Sequence, residues 1–133
     1  MGCDIHTFVE AKKNNTWYLF DKIDVRRDYD LFGLLAGVRS ITYEPLFLPR
    51  GLPDNLSVAL QIYHDYYKKD VHTESWFNRN EIYKIIKKIN TINKKLDNKE
   101  ELHFISSYFL EFYRDLIIEN KIEDYRIIIW FDS

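Results

Sequence analysis

The chain carries one short chemical spacing twice, as Asp4-Ile5-His6 and Asp70-Val71-His72, with Glu10 following the first copy. Side chains two apart on an extended strand point to one face, so each copy sets a carboxylate beside an imidazole. If the copies converge, His6 and His72 form a general base and acid for phosphodiester cleavage. The same four groups, Asp4, His6, Asp70 and His72, have the hardness and number to hold zinc, manganese or iron. A three-residue spacing also arises by chance, and a histidine beside a carboxylate is commonly a satisfied hydrogen-bond pair. No metal or other cofactor is therefore expected, and the polar strand face of Asp4, His6 and Glu10 is read first as a ligand site.

Anion-binding groups lie elsewhere. Arg26, Arg27, Arg39 and Arg50 fall outside the long helical patterns, and guanidinium forks suit phosphate. Asp24, Asp28, Asp30, Glu44 and Asp54 are as numerous and compete for them. Trp76, Tyr43, Tyr29 and Phe8 sit near polar or loop positions, where a ring can stack on a base, against the plainer alternative of core packing. The expected ligand-binding set is Asp4, His6, Glu10, Arg27, Arg39, Tyr43, Arg50, His72, Ser75 and Trp76. There is no G-x-S-x-G elbow and no glycine-rich phosphate loop. Cys3 falls on the apolar face of its strand, where a thiol is inert.

These residues need a frame. Cys3, Ile5, Thr7 and Val9 alternate with Asp4, His6, Phe8 and Glu10, a half-buried strand, and Lys12-Lys13-Asn14-Asn15 turns it into a second strand from Thr16 to Phe20, which Ile23 to Val25 extends. Asp28 or Asp30 caps a helix through Leu31, Phe32, Leu34 and Leu35 that ends near Gly37. Pro45, Pro49, Pro53 and Gly51 make Ser40 to Asn55 an irregular loop, and Ser57 caps a helix towards Tyr67. Asn78 with Glu81 reads as a capping box for a helix with Ile82, Ile85, Ile86, Ile89 and Leu96 on one stripe and Lys84, Lys87, Lys88, Lys94 and Lys95 opposite. Asp97-Asn98-Lys99 breaks it, and a second helix through Leu102, Ile105, Phe109, Phe112 and Leu116 closes an αα-hairpin. Tyr125 to Phe131 is a central strand beside the first. The fold class is α+β, a small antiparallel sheet of N-terminal hairpin and C-terminal strand packed with helices, in a single domain.

Composition bounds the function. At 133 residues, 46% hydrophobic and 17% aromatic, the chain can bury a core of its own. One cysteine excludes an internal disulfide framework and thiolate-rich zinc. No apolar run reaches membrane-spanning length and no secretory signal opens the chain, so a cytoplasmic protein is expected. A net charge of −2 gives no footprint for long nucleic acid. The aromatic load predicts a homo-oligomer.

Met1-Gly2-Cys3-Asp4-Ile5-His6 with Glu10, Arg27-Asp28-Tyr29-Asp30-Leu31-Phe32, Gly37-Val38-Arg39, Pro49-Arg50-Gly51-Leu52-Pro53-Asp54 and Asp70-Val71-His72-Thr73-Glu74-Ser75-Trp76 together resemble a family of small uncharacterised phage and bacterial proteins that begin with an MGCDIH signature. The resemblance covers about the first 77 residues and the closing Arg126 to Asp132. Thr73 stands where that family more often has serine, and the stretch from Asn78 to Asn120 matches no motif. The resemblance implies a phage or prophage setting, in which small accessory proteins sequester or hydrolyse nucleotide immune signals. The expected function is thus to bind a small nucleotide-derived signal, a cyclic nucleotide or ADP-ribose derivative, and keep it from a bacterial defence system. Cleavage of such a signal by His6 and His72 is the alternative. A second alternative is an inhibitor that binds a host protein through Lys84, Lys87 and Lys88.

Overall fold

A computed structural model describes residues 2–96, 100–105 and 107–133. Strands β1 (Asp4–Lys13) and β2 (Thr16–Ile23) form the expected hairpin. Asn14 and Asn15 both take positive φ, 53° and 61°, which a two-residue turn needs if its twist is to match that of the strands. Helix α1 (Tyr29–Ala36) opens on Asp28, whose carboxylate accepts from the amides of Asp30 and Leu31, and ends on Gly37 at φ 72°. Helix α2 (Val58–Tyr67) opens on Ser57, strand β3 spans Val71–Phe77, and helix α3 (Arg79–Lys94) opens on the Asn78–Glu81 capping box. Helix α4 (Ser107–Asn120) and strand β4 (Asp124–Asp132) close the chain.

The four strands are all antiparallel, in the order β2-β1-β4-β3. The fold is α+β, with β4 central beside β1. The strand that the sequence left out is β3. Its pairing with β4 breaks register between His72 and Ser75, where Thr73 takes φ 55°, and this bulge interrupts the alternation that would have revealed it. The Pro49-Arg50-Gly51 segment covers its free edge, with the Gly51 amide donating to the Glu74 carbonyl at 2.9 Å.

The sheet is buried on both faces. Ile5, Val9, Ile127, Ile129 and Phe131 pack on one side under α1 and the isoleucine stripe of α3. Phe8, Ile128 and Trp130 pack on the other under Leu60 and Tyr63 of α2 and Leu52 and Leu56 of the proline-rich loop. Burial on two faces is why Ile127 to Phe131 is unbroken apolar sequence rather than alternating.

The C-terminal helix differs from expectation. Leu102 and Ile105 are buried but precede α4, because the Asn93 side chain takes both backbone groups of Leu102, accepting from its amide at 2.8 Å and donating to its carbonyl at 2.9 Å. The break expected at Asp97-Asn98-Lys99 and the side chains of Phe109 and Phe112 lie outside the described residues.

Two outcomes follow from this packing. A Cβ at Gly33 would lie 2.2 Å from Ser40 Cβ and 2.9 Å from the Tyr43 carbonyl oxygen, so Gly33→Ala is expected to lower the unfolding free energy in urea by about 1–3 kcal/mol. Burial also pushes the phenols of Tyr113 and Tyr125 above their ordinary value of 10. The unfolded chain then releases these protons first, so stability present below about pH 10 is lost as the pH rises through it. Urea midpoints measured upward from about pH 9 should fall, and fall less steeply in Tyr125→Phe.

Candidate functional site

Glu10 and Arg126 each put a charge in the middle of the sheet, on neighbouring strands and in register with each other. Both are buried, at 0% and 3% exposure. Arg126 Nε donates to Glu10 Oε1 at 2.6 Å, and the second carboxylate oxygen accepts from the Ser57 amide at 2.7 Å. The far side of the guanidinium donates to the Asn55 side-chain oxygen at 2.8 Å and to its carbonyl at 3.1 Å. Burial lowers the Arg126 pKa and Glu10 opposes that shift. Arginine stays charged in either case.

Above this pair lies a hollow of about 710 Å³ lined by Trp17, Trp76, Arg50, Arg126 and Asn55, together with Lys12 and Asn78. Cations and indoles are interleaved here. Arg126 Cζ lies 4.0 Å from the centre of the Trp17 ring and 5.6 Å from that of Trp76, Arg50 Cζ lies 3.8 Å from Trp76, and Lys12 Nζ lies 5.8 Å from Trp17. Arg50 is fixed by donating to the Trp76 carbonyl from Nε at 3.1 Å and Nη2 at 2.8 Å, and by an ion pair with Glu81. Asp54 and Asp124 are the carboxylates of the lining, and Asp124 is drawn to Arg79 at 3.5 Å.

The residues expected to bind ligand divide between two ends of the sheet. Arg50 and Trp76 wall the hollow, Ser75 lies behind them, its hydroxyl accepting from the Arg50 amide at 3.3 Å, and Glu10 lies underneath. Asp4, His6, Arg27 and Arg39 sit at the other end, since Asp4 and Glu10 are roughly 20 Å apart along an extended strand. There Arg27 Nε donates to Asp4 at 2.9 Å and holds its carboxyl below the usual range, while His6 Nε2 meets Asp132 at 2.5 Å. Arg39 lies over Tyr29, and burial pushes the Cys3 thiol up, as an inert thiol requires. Tyr43 packs against the α1 side of the core.

The two Asp-x-His copies do not converge. His6 pairs with Trp130 on the α2 face, whereas His72 pairs with Phe131 on the opposite face and spends its ring on Thr73 at 2.9 Å and Ser133 at 3.0 Å. Strand parity separates them, which corrects both the shared acid/base pair and the four-ligand metal set. Among the described residues no three His, Cys, Asp or Glu side chains gather as a metal-binding group. Glu10 is likewise not on an open polar face, because α2 covers it.

Sequence reasoning missed Trp17, Asn55 and Arg126. A signal was present: Arg126 is the only charge in Tyr125 to Phe131, as Glu10 is within Thr7 to Ala11, and single opposite charges in two adjacent buried strands imply a pair.

Removing one member of that pair strands a buried charge. Glu10→Ala is expected to cost about 3–5 kcal/mol in urea unfolding, and the double variant Glu10→Leu with Arg126→Met should recover most of it.

Comparison of the chain with protein-family models, with curated proteins and with solved structures found no match.

Proposed function

We propose that the protein binds a small nucleotide-derived molecule in the Trp17–Trp76 hollow and withholds it without turning it over. The observation that carries this reading is the interleaving of two indoles with Lys12, Arg50 and Arg126 along one open hollow. Indole edges and faces offer area to a base, the Arg50 guanidinium and Lys12 ammonium answer phosphate while the buried Arg126 backs the rings, and the amides of Asn55 and Asn78 suit a base edge or ribose hydroxyls. A volume of about 710 Å³ falls in the range of small-molecule sites. Binding is favoured over cleavage because the described lining holds no histidine or cysteine, its carboxylates are Asp54 and the Arg79-paired Asp124, and its one hydroxyl is the Tyr125 phenol, whose pKa burial raises. Cleavage by His6 and His72 together is not carried forward.

In the phage setting that the N-terminal resemblance implies, the molecule withheld is an immune signal in the host cytoplasm. No helix among the described residues is long and apolar enough to cross a membrane. Self-association has its support in α2, where Val58, Ile62 and Tyr66 stand exposed one turn apart on a single stripe.

Incubating the purified chain with cyclic mononucleotides, cyclic dinucleotides and ADP-ribose derivatives, then following each by mass spectrometry before and after heat denaturation, tests the reading. Depletion of one compound and its return intact is the expected outcome, and a new mass would make the protein an enzyme. Trp76→Ala should weaken retention of that compound about 5- to 100-fold, the usual range for losing one base–aromatic stack. A panel that stays wholly unbound would shift the reading to a host-protein contact through Lys84, Lys87 and Lys88, which flank Leu46 and Phe47.

A further inference from the structure

We infer that the bound molecule has two nucleotide units joined through phosphate, one in the Trp17–Trp76 hollow and the second in the hollow beside it; this rests on the nucleotide reading of the first hollow. The neighbouring hollow, about 470 Å³, lies between the start of α3 and the exposed side of α4. Tyr125 lines both, and the consecutive residues Asn78 and Arg79 line one each, so the two hollows adjoin at the first turn of α3.

Each hollow offers the same three kinds of group. Trp76, Arg50 and Asn78 in the first are answered in the second by Tyr83, Arg114 and Asn80. Tyr83 is 61% exposed and Ile118, across the hollow, is 72% exposed. Two large apolar side chains left in water beside a concave surface provide the platform on which a base stacks. Arg114 has the weak, solvent-screened company of Asp115 at 4.0 Å, its one ion-pair partner among the described residues, and Glu111 is the one carboxylate in the described lining. At the junction, Arg79 Cζ stands 5.8 Å from the centre of the Tyr125 ring and its Nε 3.5 Å from the Asp124 carboxylate, a half-exposed pair from which a phosphate joining the two units would have to draw the cation. A mononucleotide would use one set of groups and leave the other in water.

Calorimetric titration of the full chain with cyclic AMP, cyclic GMP, cyclic di-AMP and cyclic di-GMP separates the possibilities. The dinucleotide of one base should bind at least about tenfold tighter than the mononucleotide of that base. Tyr83→Ala and Arg114→Gln, both at exposed positions that the fold tolerates, should abolish that advantage and leave mononucleotide affinity unchanged, while Trp76→Ala weakens both. Equal affinity for the two classes in the unaltered chain, or full dinucleotide affinity in both variants, overturns the two-unit inference and leaves the single-hollow reading standing. Failure of all four compounds to bind also overturns the two-unit inference, and the single-hollow reading is overturned with it only if the ADP-ribose derivatives fail to bind as well.

Discussion

The buried pair of Glu10 and Arg126 is the constraint around which the rest is arranged. It joins the two central strands by their side chains, and through the Ser57 amide and Asn55 it also fixes the start of α2 and the end of the proline-rich loop. Desolvating two charges is expensive, and their attraction repays the cost only where the remaining donors and acceptors are also met. Here Glu10 uses both oxygens and Arg126 all three nitrogens. The pair thereby ties the proline-rich loop and the start of α2 to the two central strands by directional contacts.

That anchoring sets the geometry of the candidate site. Because Asn55 and Glu10 grip the guanidinium edge of Arg126, its flat face is left to the rings of Trp17 and Trp76. Arg50 repeats the arrangement one layer out, its edge tied to the Trp76 carbonyl and Glu81 and its charge set against the Trp76 ring. Two tryptophans from opposite edge strands are thus held by two arginines whose rotamers are locked by hydrogen bonds. A wall organised before any ligand arrives loses less conformational entropy on binding than one assembled from free side chains.

Local signals in the sequence were reliable where local physics decides the outcome. Ser57 and Asn78 cap the helices expected of them, and of the two candidates Asp28 and Asp30 it is Asp28 that caps α1, since a side-chain oxygen meeting an amide two or three residues on needs nothing from the rest of the fold. The hairpin at Asn14-Asn15 and the central strand at Tyr125 to Phe131 were legible for the same reason. The helix expected to begin by Leu102 was not, because a distant asparagine competes for the Leu102 backbone. Within the candidate site, Arg50 and Trp76 were named from residue type and loop context, but Asp4, His6 and Glu10 were grouped by strand parity, which says that side chains share a face and nothing about what covers it.

The sequence by itself determined the α+β class, the identities and ends of most elements, and the supply of arginines and aromatic rings that a nucleotide-sized ligand would need. Only the tertiary structure decided which of them meet. Strand order placed Arg126 beside Glu10, and register put His6 and His72 on opposite faces of one sheet. The physical reason is that caps and periodicity act over a few residues, whereas the site is assembled from β1, β2, β3, β4 and the loop before α2, brought together by sheet pairing and burial over separations of up to 116 residues.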